Sequence, residues 1–204
     1  NTTASYNTAV GYQGLYANTT GNGLASLGFQ ALYTNTTGSN NNAVGYKTLY
    51  SNTTGGSNTA VGDRALQANT TASNNNAFGF QALYSNTTGA VQTAMGHAAL
   101  NANTTGTENT AFGGAALLDN TTGNYNVAVG RNALANNTTA SSNTAVGYDA
   151  LNSNTTASGN VAIGTNAGKA STTAINGVFV GSSAGTTVTT GNNNTCIGYL
   201  TGYA

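Results

Sequence analysis

A strict period of 17 residues runs through the whole chain. Twelve units of this length fill the 204 residues with no insertion, deletion or remainder. A glycine that follows an apolar residue marks the same place in every unit: Gly11, Gly28, Gly45, Gly62, Gly79, Gly96, Gly113, Gly130, Gly147, Gly164, Gly181 and Gly198. A fixed short period is typical of repeat architectures, in which each unit stacks on its neighbours. It favours a stack of coils over a fold built around one enclosed core.

Each unit follows the consensus N-T-T-G/A-x-x-N-T-A-V-G-Y-x-A-L-Y-x, whose positions we number 1 to 17. Such a unit is too short for a helix–turn–helix repeat, which takes about 34 residues. It fits one coil of an all-β, parallel β-solenoid with two short strands, at positions 7–12 and 14–17, joined by polar corners. Position 4 is glycine or alanine, so we expect no left-handed backbone there. Twelve coils stacked about 4.8 Å apart predict a rod roughly 55–60 Å long.

The sequence predicts a single solenoid over residues 1–204, with regular units over 1–153 and variant units over 154–204. Position 15 is leucine in the regular units and glycine in the variant ones. In unit eleven, position 9 grows from alanine to Phe179 as position 15 shrinks to Gly185, which indicates that the two positions share a space. Neither end shows a polar capping unit, so we expect caps outside this segment or ends that stack on further units in a longer fibre.

Apolar residues occupy neighbouring positions in both predicted strands, at 9 and 10 and at 14 and 15. Because side chains alternate between the two faces of a strand, each strand would present apolar surface on both faces. One coil has one interior, and soluble monomers rarely expose an apolar patch of such length. The pattern therefore predicts side-by-side association of several copies.

The composition excludes several functional classes. Only 4% of residues are charged and the formal net charge is zero, so nucleic-acid binding has no electrostatic basis. Since no apolar run approaches membrane-spanning length, we expect no membrane insertion. The one cysteine, Cys196, excludes an internal disulfide.

Two sequence phrases resemble known fibrous proteins. The segments Gly28–Gly38 and Gly79–Gly89, G-F-Q-A-L-Y-S/T-N-T-T-G, resemble repeats of bacterial and phage tail-fibre-domain proteins, which often end in a self-cleaving intramolecular chaperone. The N-T-A-V-G-Y pieces and Asn160–Gly164 resemble the head repeats of trimeric autotransporter adhesins, although those units are usually shorter than 17 residues. The resemblance implies a left-handed β-roll, a homotrimer and an exposed extracellular fibre on a cell surface or a virion. Its expected partner is a glycan or a cell-surface receptor.

Residues with catalytic chemistry are few and scattered. His97, the only histidine, stands at position 12 and is expected to point outward, while Cys196 replaces the alanine of position 9 and is expected to be a small packed side chain. The acids occupy four different positions and form no pair for acid–base catalysis: Asp63, Glu108, Asp119 and Asp149. The aspartate-rich loops of calcium-binding solenoids are missing. We therefore expect no enzyme activity, no metal and no cofactor.

Ten units begin with Asn-Thr-Thr, and two interpretations of these asparagines stay open. The first is a stacked amide ladder that satisfies corner backbone groups, with a hydroxyl ladder beside it. The second is glycosylation, because each asparagine begins an N-x-[ST] acceptor sequence, on condition that its side chain points outward. The candidates are Asn1, Asn18, Asn35, Asn52, Asn69, Asn86, Asn103, Asn120, Asn137 and Asn154, and Asn136 and Asn193 also match the acceptor pattern.

Tyrosines recur at positions 12 and 16. They are Tyr12, Tyr46, Tyr148 and Tyr199 at the first position, and Tyr16, Tyr33, Tyr50, Tyr84 and Tyr203 at the second. We favour stacking between coils that stiffens the solenoid. A strip that binds carbohydrate or another surface is the alternative.

Taken together, these patterns predict a non-enzymatic structural segment of an extracellular fibre, either a shaft or an adhesive head. The alternative is an ice-binding β-solenoid that uses threonine ladders. That function needs two outward threonine columns on one flat sheet, whereas adjacent threonines of a strand face opposite ways and position 8 is mixed. A carbohydrate-active β-helix would need clustered carboxylates, which the chain lacks.

Overall fold

The computed structural model describes residues 3–202 and shows one parallel sheet, with no helix among those residues. Twelve strands of three residues each pair in sequence order. They are β1 Thr8–Val10, β2 Ala25–Leu27, β3 Asn42–Val44, β4 Thr59–Val61, β5 Asn76–Phe78, β6 Thr93–Met95, β7 Thr110–Phe112, β8 Val127–Val129, β9 Thr144–Val146, β10 Val161–Ile163, β11 Val178–Val180 and β12 Thr195–Ile197. Paired residues are 17 apart, as in Ala43 beside Ala60. The predicted all-β solenoid of 17-residue coils is confirmed.

Each coil contains one strand and not the predicted two. Positions 13 and 15 have left-handed backbone in every coil, and the nine leucines of position 15 have φ between 48° and 54°. Successive coils still bond to each other here, since the Leu49 N–H donates to the Ala65 carbonyl at 3.1 Å. The prediction of a strand at positions 14–17 is wrong, because the alternating backbone bends the chain around the core instead of extending it.

This bend turns two neighbouring side chains inward. Ala82 and Leu83, at positions 14 and 15, are both fully buried, whereas an extended strand would send one of them outward. A left-handed residue with a side chain costs about 1–2 kcal/mol, and full burial of a leucine contributes about 1.5–3 kcal/mol. Burial therefore offsets the backbone strain. The prediction that positions 14 and 15 form a second two-faced strand is wrong.

The core lies between the alanines of position 9 and the leucines of position 15, which are buried together along the stack. In coil eleven, a Cβ on Gly185 would lie 2.2 Å from Cδ1 of Phe179, and one on Gly168 would lie 2.7 Å from Cδ2. A Cβ on Gly177 would also lie 2.5 Å from Cε2 of this ring. One phenylalanine thus fills the space that three glycines leave. The predicted sharing of space by positions 9 and 15 is confirmed.

Two corners of the coil differ in what they require of the backbone. The glycines of position 11 have φ between 120° and 142°, a region closed to other residues, and a Cβ on Gly45 would lie 2.5 Å from the carbonyl oxygen of Gly62. Position 4 shows no left-handed residue within 3–202, as its tolerance of alanine predicted. Position 11 therefore requires glycine for its backbone conformation. Position 4 is also tightly packed, since a Cβ on Gly38 would lie 2.3 Å from the carbonyl oxygen of Gly55, but other coils have alanine there.

Candidate functional site

The asparagines of position 1 form a continuous ladder inside the solenoid. In a representative coil, Asn52 Nδ2 donates to Asn35 Oδ1 at 2.7 Å and to the carbonyl oxygen of Gly55 at 2.9 Å. Each amide therefore bonds to the preceding coil and closes the corner of its own coil. The nine described members are at most 1% exposed. The amide ladder predicted from the sequence is present.

Glycosylation of this ladder meets a physical obstacle. The condition for it, an outward side chain, is not met at Asn18, Asn35, Asn52, Asn69, Asn86, Asn103, Asn120, Asn137 or Asn154, all of which are buried. The nitrogen that would carry the sugar already donates hydrogen bonds in the core, so modification would require the ladder to open. Asn1 lies outside the described residues. Asn136 and Asn193 are exposed, so mass spectrometry of native material should find any sugar there and unmodified peptides along the ladder.

A second amide ladder, at position 7, was not recognised from the sequence. Asn58 Oδ1 accepts the Asn75 N–H at 3.0 Å, and Asn58 Nδ2 donates to the Ala72 carbonyl at 2.9 Å. Asn69, from the first ladder, donates to the same carbonyl at 3.0 Å. Gln92 replaces asparagine in its coil and still accepts from the backbone of the next coil. Nine of the twelve units have asparagine at position 7, and this recurrence could have predicted the ladder. It did not, because position 7 was assigned to the first predicted strand.

The two threonine columns have different surroundings. At position 2 the hydroxyl donates to the carbonyl of the same position in the next coil, as from Thr53 to Thr70 at 3.0 Å. At position 3 the threonine side chains are exposed in every coil, from Thr3 to Thr190. Position 2 therefore ties coils together, while position 3 forms one regular outward column of hydroxyls and methyls.

Aromatic rings stack along the first coils, as the favoured interpretation of the tyrosines predicted, but among the described residues Tyr84, Tyr148 and Tyr199 have no ring beside them to stack on. Tyr12, Phe29 and Tyr46 stack with centroids 5.3 Å apart. Tyr16, Tyr33 and Tyr50 stack at 5.1 Å. The Lys47 ammonium lies 5.5 Å from the ring centroid of Tyr46 and 5.3 Å from that of Tyr50, the last rings of the two stacks. Because neighbouring rings cover each other's faces, the middle of each stack offers ring edges to a carbohydrate. Tyr203 lies outside the described residues.

An apolar column runs along the outer face of the sheet. It consists of the position-10 side chains of β1 to β12, directly beside the buried position 9. Its more exposed members, at 36–64%, are Val10, Leu27, Val44, Phe112, Val129, Ile163 and Ile197. Exposed aromatic residues of position 12, such as Tyr12 and Tyr148, flank it. The first strand therefore has the two apolar faces that the sequence predicts.

The residues with catalytic potential lie apart from one another. His97 is exposed and stacks on Phe80 with centroids 5.3 Å apart, and Cys196 is buried in the core column. Within residues 3–202 no three histidine, cysteine, aspartate or glutamate side chains come close enough to hold a metal ion. No pocket opens on this part of the chain. Glu108 and Asp119 are exposed on separate columns, and Asp63 faces Arg64 at 3.6 Å.

One ion pair joins the regular and the variant coils. Asp149 Oδ2 lies 2.7 Å from Lys169 Nζ, and Asn132 Nδ2 donates to Asp149 Oδ1 at 3.0 Å. Burial raises the pKa of Asp149, but the hydrogen bonds from Lys169 and Asn132 and the charges of Lys169 and Arg131 outweigh it and lower the pKa below 3.8. The hydrogen bond to Asp149 raises the pKa of Lys169. The pair therefore acts as a clamp between coils.

Among the described residues, no helix has the length and apolar character needed to cross a membrane. Comparison of the chain with family models, with curated proteins and with solved structures gave no match.

Proposed function

We propose that this chain is a non-enzymatic structural segment of an extracellular fibre, a shaft or an adhesive head on a cell surface or a virion, and that it works as a homotrimer. The apolar column of position 10 carries the proposal, because it continues from Val10 to Ile197 on the outer face of the sheet. Soluble monomers rarely expose an apolar patch that extends along the whole molecule.

A second copy of the same chain is the partner that best fits the column. The column repeats once per coil, with the spacing of about 4.8 Å that hydrogen-bonded strands impose. A parallel copy has the same spacing, so every coil can meet its counterpart in the same register. Three copies around one axis would bury three columns against each other, which agrees with the trimer implied by the resemblance to adhesin heads.

The mechanical part of the proposal rests on the ladders. Backbone bonds, two amide ladders and the position-2 hydroxyls all run along the fibre axis. The many parallel bonds share an axial load, and a break in one coil leaves the others intact. Since 4% of residues are charged, salt should screen little of this stabilisation.

Analytical ultracentrifugation with charged variants tests the trimer. We expect the native chain of 20.2 kDa to sediment as a trimer, and the double variant Phe112→Lys, Val129→Lys as a folded monomer with unchanged circular dichroism. Thr105→Lys, Thr122→Lys places the same charges on the exposed column of position 3 and should stay trimeric. A native chain that remains monomeric at tens of micromolar, or a charged apolar column that stays trimeric, would contradict the proposal.

Ice binding is the second candidate, and the exposed column of threonines at position 3 favours it. The column is regular, but it lies at a corner of the coil, while the outer face of the sheet carries the apolar column. The hydroxyls of position 2 already donate to backbone carbonyls. A thermal-hysteresis assay separates the two functions: hysteresis that disappears in Thr105→Lys, Thr122→Lys would favour ice binding.

A further inference from the structure

The position-1 ladder ends inside the solenoid, at the boundary between the regular and the variant coils. Asn154 is its last asparagine, and Ser171 occupies the same position in the next coil. Both side chains are fully buried, yet Asn154 Oδ1 and Ser171 Oγ have no hydrogen-bond partner among residues 3–202. A buried polar atom without a hydrogen-bond partner lowers the stability of the fold by about 1–3 kcal/mol, so we expect a further group to bond to these two atoms.

A comparison with the regular coils identifies the missing group. In them, the asparagine amide donates to the Oδ1 of the preceding ladder member and to the position-4 carbonyl of its own coil, as Asn137 does at 2.8 Å and 3.0 Å. Ser171 has no amide nitrogen, and within residues 3–202 its hydroxyl makes neither bond. Within the described residues, the buried Ala174 carbonyl also receives no bond from the second ladder, because Asn160 Nδ2 donates to Ala157 instead.

We propose that Asn154, Ser171 and Ala174 form a buried site for one water molecule, which takes the place of the absent amide group. The water donates to Asn154 Oδ1 and to the Ala174 carbonyl oxygen, and it accepts from the Ser171 hydroxyl. Three partners are the usual number for a buried water. The serine side chain is smaller than that of asparagine by roughly the volume that one water needs.

The chemistry of the site favours water over a cation. All three partners are neutral oxygen atoms, and a monovalent cation buried among them would have no counter-charge. An isolated buried charge is far more costly than a buried neutral molecule. A water can also donate to two acceptors, which is the role of the missing nitrogen.

High-resolution crystal structures of three chains test the site. In the native protein we expect one ordered water within hydrogen-bond distance of Asn154 Oδ1, Ser171 Oγ and the Ala174 carbonyl. In Ser171→Asn the new amide nitrogen should occupy that place and displace the water. Asn137→Ser is the matched variant, because it makes the same replacement within the regular ladder and should create a second water site beside Asn120 Oδ1.

Magnetic relaxation dispersion of the water signal provides the solution readout. Relative to the native protein, we expect one long-lived internal water fewer in Ser171→Asn and one more in Asn137→Ser. Either variant alone is decisive if the other fails to fold. A direct hydrogen bond between Ser171 and Asn154 with no water between them, an unchanged count, or a melting temperature that depends on sodium or potassium at constant ionic strength would overturn the proposal.

Discussion

Gly113 and Gly114 are adjacent in sequence but meet different constraints. Gly113, at position 11, has a φ of 140°, and a Cβ there would lie 2.6 Å from the carbonyl group of Gly130 in the next coil. A Cβ on Gly114, at position 12, would have no neighbouring atom within 4 Å. The first glycine is required by the stacking of the coils, and the second occupies an outward position that aromatic residues fill elsewhere.

We therefore expect Gly113→Ala to lower the free energy of unfolding by at least about 2 kcal/mol, because it adds backbone strain to a backbone clash. Gly114→Ala should change it by less than about 0.5 kcal/mol, since nothing surrounds its new methyl group. Urea unfolding followed by circular dichroism measures both. Equal effects of the two substitutions would contradict this account of position 11.

At the scale of one coil, the core keeps its volume while its residues change. Phe179 reaches into the space of position 15, where Gly168 and Gly185 leave room for the ring. The left-handed backbone is retained, since Gly185 has a φ of 63° and the leucines of the same position have 48–54°. A side chain at 185 is therefore excluded chiefly by the ring and not by the backbone.

A double-mutant cycle tests this exchange of volume. Gly185→Leu should destabilise the native chain by several kcal/mol, because overpacking forces the ring or the backbone to move. In the Phe179→Ala background, which restores the regular residue of position 9, the same change should cost much less or stabilise the coil. Additive effects in thermal unfolding would mean that the two positions do not share a space.

The clamp between Asp149 and Lys169 predicts a pH dependence of stability. The folded chain lowers the pKa of Asp149 below 3.8, so the stabilisation is complete above about pH 4 and is lost as the pH falls through the folded value. Because the pKa of Lys169 is raised, the corresponding loss of stabilisation occurs in alkaline solution, above pH 10.5. Between these limits the contribution of the pair is constant.

We expect Asp149→Asn to lower the free energy of unfolding at neutral pH. On acidification below pH 4, the free energy of unfolding should fall less in this variant than in the native chain. Asparagine tolerates the left-handed backbone of this position, where φ is 55°. Glu108→Gln, at an exposed carboxylate, is the matched control and should keep the native slope. An Asp149→Asn chain with the native acid slope would show that the ion pair does not act as a clamp.

At the scale of the whole molecule, the register of the stack governs stability. Every ladder joins residues 17 apart, including the sheet, the two amide ladders and the core column. Each coil contacts only its neighbours, as in other solenoids. A whole unit can therefore be removed without loss of any type of contact, whereas a partial unit disrupts all of them at once.

Deletion of residues 94–110, which is one full unit, should leave a folded rod with native-like circular dichroism and cooperative unfolding. Deletion of 94–111 removes one residue more and places Phe112 at the inward position 9. That chain should aggregate or melt at a much lower temperature, because a coil short of one residue cannot close in register. Similar stability of the two deletions would contradict a register-locked stack.

The sequence alone determined those features of the protein that recur in every unit. The spacing of the glycines was sufficient to predict the twelve coils and their parallel stacking, because stacking requires identical positions to meet. The apolar positions 9 and 10 predicted a strand with two apolar faces, and the structure decided that position 9 is the inward one. The exchange between Phe179 and Gly185 was also visible, since the two changes occur in the same unit.

Only the tertiary structure decided how each coil bends and which way its asparagines point. The leucines of position 15 adopt left-handed backbone because the core offsets its cost, and no local pattern in A-L-Y-x signals that balance. Likewise, an Asn-Thr-Thr sequence fits an outward sugar or an inward ladder equally well. The ladder forms because stacking brings the Oδ1 of one coil and the corner carbonyl of the next within reach of the same amide nitrogen, and those partners exist only once the coils are in place.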